Sequence, residues 1–524
     1  MILCALCVAI CDHSRATCAP PTITHLSPAG TQRGKSVDVA VAGVFDANTK
    51  VWTNSTDLTI ENAKGKLKIT ASPNAVPGVH WLRTYNDEGA STLRPFIVGT
   101  LPEIAEKEPN DEFKKPQQIE VPACVINGKL EKSGDVDCYA VTLKKGQTLV
   151  ASLEAHRTLR SPMDGMLQIV SADGFVLDEN NDWNELDPQI VFNAKKDGVY
   201  IARVYAFPSM PDSSIRYFGS DACVYRLTLT SGPFADFAVP LALNQAEPWN
   251  ADVEGWNIPP AKPKLSFVAK SNEVIGFESS WANPLRFPTL SFATHGEKYN
   301  TPLTLPFAVT NRIEKANGES LTVFDGKKGQ AITIVAESRK FGLAVNPVVR
   351  LLDSEGKQLA RAEPAKLNGD TALSFTLPAD AKYTIAVKDL YAGGGSRHVF
   401  LLQVLTEPDY ELTLAADRYT ITPGKPTLVA VKVARVRGFN KPIEITGTGL
   451  PDSVKIETTT PAKPDPNTIT LSLTSEKPFS GAFQLRGVVK DEPQLTRPVR
   501  ATNADFEEPT ENLWLTVTSV AKGK

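Results

Sequence analysis

Alternation is the feature that most limits what this chain can fold into. Apolar residues return at every second position in Val37-Asp38-Val39-Ala40-Val41, Leu67-Lys68-Ile69, Tyr200-Ile201-Ala202-Arg203-Val204 and Val429-Ala430-Val431-Lys432-Val433. A side-chain period of two puts residues i and i+2 on one face of a pleated strand, so each run reads as a strand with one face toward a core. The runs are short, end in Gly, Pro, Asn or Asp, and recur every ~8–12 residues, as in sandwiches and barrels. No stretch of about 12 residues combines a 3.6-residue period with helix caps. The expected fold is therefore all-β, and 524 residues are too many for one sandwich at roughly 150 residues per domain. Tandem β-sandwich modules follow.

An internal repeat organises the middle of the chain. Val121-Pro122-Ala123-Cys124-Val125-Ile126-Asn127 matches Leu305-Pro306-Phe307-Ala308-Val309-Thr310-Asn311, and Lys144-Lys145-Gly146-Gln147 returns as Lys327-Lys328-Gly329-Gln330, 183 residues on. Leu167 to Gly174 answers Val349 to Gly356, and Gly198-Val199-Tyr200-Ile201 answers Ala381-Lys382-Tyr383-Thr384. A weaker echo precedes each copy, Thr24 to Gly43 against Asp236 to Gly255, with Leu-Arg-Pro-Phe at Leu93 and Leu-Arg-Phe-Pro at Leu285. The layout is A-B-A′-B′ plus a last module that opens near Glu407. Its boundaries are 18–100, 101–232, 233–303, 304–406 and 407–524.

Composition narrows the function. Lys and Arg number 56 against 59 Asp and Glu, a net charge of −3, which gives no electrostatic reason to expect nucleic acid or an anionic membrane. Six His, seven Cys and four Met leave little material for metal or nucleophile chemistry. Met1 to Cys11 is an unbroken apolar run, too short for the ~20 residues of a membrane span but suited to the core of a secretory signal. Ser14 and Ala16 then supply a small-x-small cleavage pattern, so residues 1–17 read as a signal peptide. The basic n-region is missing, which points to a true start upstream, and no cysteine here has the surroundings of a lipoprotein site. Export to a secreted, periplasmic or cell-surface location is expected, with no transmembrane segment, since no later stretch approaches ~18 apolar residues. Cys18, Cys124, Cys138 and Cys223 would remain. An oxidising compartment permits one disulfide among the last three, with the pairing open.

The segment Glu106 to Gly232 resembles the bacterial pre-peptidase C-terminal domain. The resemblance rests on Glu106-Lys107-Glu108-Pro109-Asn110-Asp111, Gly134-Asp135-Val136-Asp137-Cys138-Tyr139 and Lys145-Gly146, continuing through Asp173-Gly174, Asn181-Asp182 and Asp197-Gly198-Val199-Tyr200 to Tyr225-Arg226-Leu227. Cys138 departs from it, standing where the family usually has an aromatic residue. Residues 304–406 resemble a degenerate second copy. The first module is similar to the IPT/TIG immunoglobulin-like fold through Pro28-Ala29-Gly30, Gly34 and Gly43, residues 233–303 to a degenerate form of it, and the last module is broadly immunoglobulin-like. The resemblance implies small jelly-roll-like sandwiches that accompany secreted peptidases as folding, attachment or substrate-binding units. It also implies Ca2+, which collagenase relatives hold through the E-x-E-x-N-D linker and nearby aspartates.

The residues accommodate that chemistry. Calcium takes six to eight hard oxygen ligands. Glu106, Glu108 and Asn110 share a face only if the segment is extended, and Pro109 disfavours helical geometry at Glu108. Asp111, Asp135 and Asp137 would complete the cage. The competing reading is a solvated acidic linker with Asp111 in a turn and Asp135 capping a hairpin. The degenerate copy should not bind, since Gly318 falls opposite Asp135 and Ser320 opposite Asp137.

Other motifs fail. Asp178 to Asp182 begins like an EF-hand loop, but Trp183 holds the obligatory glycine position and Gln189 that of the bidentate Glu. Gly34-Lys35-Ser36 lacks the first glycine of a phosphate loop, and Gly393 to His398 lacks the glycine of a nucleophile elbow. His25, His80, His156 and His295 have no ligand spacing. Six of the seven tryptophans, Trp52, Trp81, Trp249, Trp256, Trp281 and Trp514, read as core anchors, and the loop Tyr205 to Pro211 is the best place to look for a ligand platform. The chain therefore reads as a non-catalytic exported binding or display protein, with an extracellular polysaccharide or protein as partner. The alternatives are an accessory or substrate-binding part of a secreted peptidase or hydrolase system, and a spacer whose modules form a stiff rod.

Overall fold

A computed structural model describes residues 19–519 except 45–47, 64, 121–122, 211–215, 262–263, 271–272, 462, 464, 503–504 and 507–508. The expected signal peptide and Cys18 lie outside the described residues. Among the described residues strands dominate, with one four-residue helix at His156–Leu159 and a 3-10 turn at Arg339–Phe341. The fold is all-β, in tandem sandwiches, as the alternation predicts. The strand Ser36–Ala42 shows why: Val39 is fully buried while Asp38 and Ala40 face solvent.

Five cores each draw on one stretch of chain. The first packs Ile23, Val39, Ile69 and Phe96 between two four-stranded paths. The second fills the space between two five-stranded sheets with Tyr139, Leu167, Val204 and Leu227. In one of these sheets the strands Glu103–Ala105, Ala123–Lys129, Val224–Thr230, Thr148–Glu154 and Gln189–Asn193 lie side by side. In the other the order is Gln117–Gln118, Asp137–Leu143, Gly198–Pro208, Met163–Ser171 and Val176–Asn180. A third core surrounds Trp281, a fourth Phe324 and a fifth Leu471.

The repeat recurs bond for bond. Lys145 N donates to Asp197 Oδ1 (2.8 Å), and 183 residues on Lys328 N donates to Asp380 Oδ1 (2.6 Å). Tyr200 donates its hydroxyl proton to Lys196 O (2.9 Å) and Tyr383 to Ala379 O (2.7 Å). Asp187 accepts the amides of Ala155, His156 and Arg157, and Asp370 those of Ser338, Arg339 and Lys340. In both copies a carboxylate thus satisfies the free N–H groups of a single helical turn.

The first and last sandwiches touch, so the chain differs from a stiff rod. Arg83 has no exposed surface and donates through Nη2 to Asp417 Oδ2 at 2.6 Å and to Asn512 O at 3.3 Å. Trp514 lies 5.7 Å from that guanidinium and packs against Trp52 and Tyr85. Arg83 Nε and Nη1 have no partner among the described residues, so this charge rests on Asp417. Removing one member of a buried pair strands the other, at a cost of about 3–5 kcal/mol, whereas replacing both with apolar residues is close to neutral. Calorimetry should show Asp417→Leu strongly destabilising and the double variant Arg83→Leu/Asp417→Leu recovering most of the loss. Equal melting of the single and double variants would count against this contact.

Candidate metal centre

The period of two that builds the strand Asp137–Leu143 also builds the site. Asp137 and Tyr139 share the inward face, and Tyr225 arrives on it from Val224–Thr230. The two phenol oxygens stand 2.5 Å apart; Tyr225 donates to Asp137 Oδ2 (2.5 Å) and Tyr139 reaches Glu106 Oε1 (3.0 Å). Glu106 follows the short strand Glu103–Ala105, which pairs parallel with Ala123–Lys129. Its second oxygen accepts Lys129 N at 2.8 Å.

Beyond Glu106 the chain is non-helical, as the proline requires, and Cys138 N donates to Asn110 O (3.1 Å), which holds this arm beside the aspartate strand. The arm does not keep a strict period of two: Glu108 is exposed while Asn110, two residues on, is buried. All six sequence-predicted residues come together. Ligand oxygens of Glu106, Glu108 and Asp137 lie within 4.8 Å of one another, as do those of Glu108, Asp111 and Asp135. Asn110 joins both groups through Glu108 Oε2 (3.1 Å to its amide N) and Glu106 Oε1 (3.4 Å). Asp135 is buried in the turn and accepts Glu131 N.

Electrostatically the cluster is unbalanced. Five carboxylates converge, and among the described residues none of them is in an ion pair; the nearby Lys129 is engaged with Asp221 (2.8 Å) and Glu131 (3.2 Å). Burial first, and then the Glu106 carboxylate, push the Asp137 carboxyl up to about 10. Burial and Asp111 raise Asp135, and burial raises Glu108 with Glu106 and Asp135 adding to it. Two acceptors, Asn110 Oδ1 and Asp137 Oδ1, are buried without any donor among the described residues. Such atoms are costly unless something meets them. An all-oxygen set of this kind suits a hard cation, and Ca2+ tolerates its irregular geometry better than Mg2+ does.

The part of the tyrosines was not singled out from sequence, although Tyr139 at two residues from Asp137 was a readable signal. The thiols also differ from one reading. Cys124, Cys138 and Cys223 are free and buried, so no disulfide joins them. Burial pushes Cys124 up to about 11 and Cys138 up to about 12, which leaves neither as a nucleophile. Trp183, which spoils the EF-hand pattern, lies under the Arg397 guanidinium at 4.3 Å.

The Asp137 proton sets a pH dependence. Without a cation the folded protein holds a proton here that the unfolded chain releases above its ordinary 3.8. The stability from this group is therefore complete below that value and is lost as pH rises toward about 10. Asp137→Asn should remove this slope, so that at about pH 8 the chelator-treated variant melts above chelator-treated wild type. A lower melting point for the variant would contradict the buried-charge account.

No protein-family model matches the chain, and no curated protein matches it. Among solved structures, SGBP-B of the Bacteroides ovatus mixed-linkage glucan utilization locus, in complex with a mixed-linkage heptasaccharide, is 8% identical with a TM-score of 0.13, covering 72% of each chain. The I67-I69 I-band fragment of titin is 7% identical with a TM-score of 0.15, covering 96% of this chain and 99% of its own. The S-layer protein rSbsC(31-844) is 9% identical with a TM-score of 0.15, over 96% and 55% of the two chains. Scores this low leave the fold to be read from the strands and sheets themselves.

Proposed function

We propose that this chain is an exported, non-catalytic binding or surface-display protein whose second sandwich is a pre-peptidase C-terminal domain stabilised by Ca2+. The observation that carries the reading is the pair of buried oxygens, Asn110 Oδ1 and Asp137 Oδ1, that meet no donor among the described residues, inside a cluster of five carboxylates. Glu106, Glu108, Asp111, Asp135 and Asp137 would hold the ion, with Asn110 supplying a neutral oxygen. The ion supplies positive charge, and its work is structural: it ties the arm at 106–111 to the turn at 131–137 and lets Asp137 stay ionised.

The second copy supports a structural role by contrast. Its equivalent position is a neutral network in which Tyr299 donates to Asn311 Oδ1 (3.0 Å) and Asn311 Nδ2 donates to Thr322 Oγ1 (2.9 Å). Thr322 stands 183 residues after Tyr139. The same frame is there complete without an ion.

Calorimetry of the full chain in chelator and in millimolar Ca2+ tests the proposal. A ligand at a hundred times its Kd adds about 2.7 kcal/mol, so one transition should rise by several degrees, and Asp137→Asn or Glu106→Gln should abolish the rise. An unchanged profile in Ca2+ defeats the site.

A further inference from the structure

The outer face of the second sandwich carries an arrangement that its core does not require. Strands Met163–Ser171 and Gly198–Pro208 run antiparallel, with Asp164 opposite Phe207, Met166 opposite Tyr205 and Gln168 opposite Arg203. Leu167, Val204 and Ala206 point into the core, so the period of two turns those three pairs outward. Tyr217 returns from the following loop to lie on Tyr205 at 4.5 Å and meets Phe207 nearly edge-on at 5.9 Å. Tyr217 remains 40% exposed.

Beside the rings runs a polar chain. Arg203 donates through Nε and Nη2 to Gln168 Oε1, and Gln168 Nε2 donates to Glu179 Oε2 (3.0 Å) and Tyr205 Oη (3.1 Å). Each end of that chain keeps capacity: Arg203 Nη1 and Glu179 Oε1 have no partner among the described residues. Asp164 Oδ1, at the Phe207 end, likewise meets no donor there.

We propose that this face binds a neutral polysaccharide chain. A pyranose presents an apolar C–H face and a rim of hydroxyls that both donate and accept. The half-exposed Tyr217 ring takes the first, and a guanidinium N–H beside a carboxylate oxygen takes the second. Charges of both signs sit side by side, so neither an anionic nor a cationic ligand is favoured. A peptide added as a strand needs an unpaired edge; around Phe207 and Asp164 the outer edges have no strand neighbour, but loops occupy them, with Phe218 N donating to Ala206 O (2.7 Å) and Gly165 N to Leu186 O (3.2 Å). The inference rests on reading the chain as a binder and is independent of its cation.

Native affinity electrophoresis of the full chain tests it, in gels containing a soluble β-glucan, an arabinoxylan, a galactomannan or an α-glucan, against a gel with none. Wild type should be retarded by at least one polymer, and Tyr217→Ala should weaken that binding roughly tenfold, the loss of one aromatic anchor. Tyr217→Phe should keep most of it. Tyr391→Ala, at a 60% exposed tyrosine of the second copy, should leave it unchanged. An unaltered melting profile for Tyr217→Ala excludes misfolding as the cause. No retardation of wild type in any gel overturns the proposal, as does equal retardation of Tyr217→Ala. Binding of a collagen-like peptide without any polysaccharide also overturns it. Failure here leaves the calcium-dependent melting untouched, so the two readings fall separately.

Discussion

A guanidinium with no exposed surface sits between the first and last sandwiches, 334 residues from its counter-charge. Neither Arg83 nor Asp417 could be buried alone, because an unpaired charge in a protein interior costs several kcal/mol. The contact therefore exists only when both ends of the chain are folded and docked. The first sandwich also packs Ala29 and Ile97 against Leu159 and Val224 of the second, and Arg33 lies over Phe277 of the third at 5.2 Å. It acts as a hub, and the chain closes back upon it.

The two repeat copies show how one frame accommodates opposite electrostatics. The bonds that shape each sandwich, from Lys145 to Asp197 and from Lys328 to Asp380, are common to both. At the cluster position they diverge. One copy gathers five carboxylates and two donorless oxygens, and the other closes a neutral network around Thr322. The site meets the core only through the hydroxyl ends of Tyr139 and Tyr225, and in the other copy Thr322 stands in the place of Tyr139.

Local order was legible in the sequence and long-range pairing was not. Alternation identified strands such as Ser36–Ala42, and the non-helical arm at 106–111 followed from Pro109, although it bends at Glu108 instead of running as a strand. All six site residues converge because the chain leaves one sheet at Ala105 and enters the other at Gln117, which pairs directly with Asp137–Leu143. By contrast, Arg83 and Asp417 read individually as ordinary surface charges, and only their meeting makes them interior residues. Trp183 spoiled a calcium loop on paper for a reason visible only in three dimensions, where it lies beneath Arg397. The thiols were misjudged in the same way, since compartment chemistry permits a disulfide that the positions of Cys124, Cys138 and Cys223 do not make.

Those three thiols give the second sandwich an unusual kinetic character. While it is folded, burial keeps them protonated and out of reach of oxidants. A single opening of this core uncovers all three together, since Cys124 and Cys223 lie within it and Cys138 packs under its outer face. In oxidising surroundings, any bond then formed between them would join positions that the native packing keeps apart. Unfolding would become a one-way event, with the lifetime of the protein set by its rate of opening rather than by its equilibrium stability.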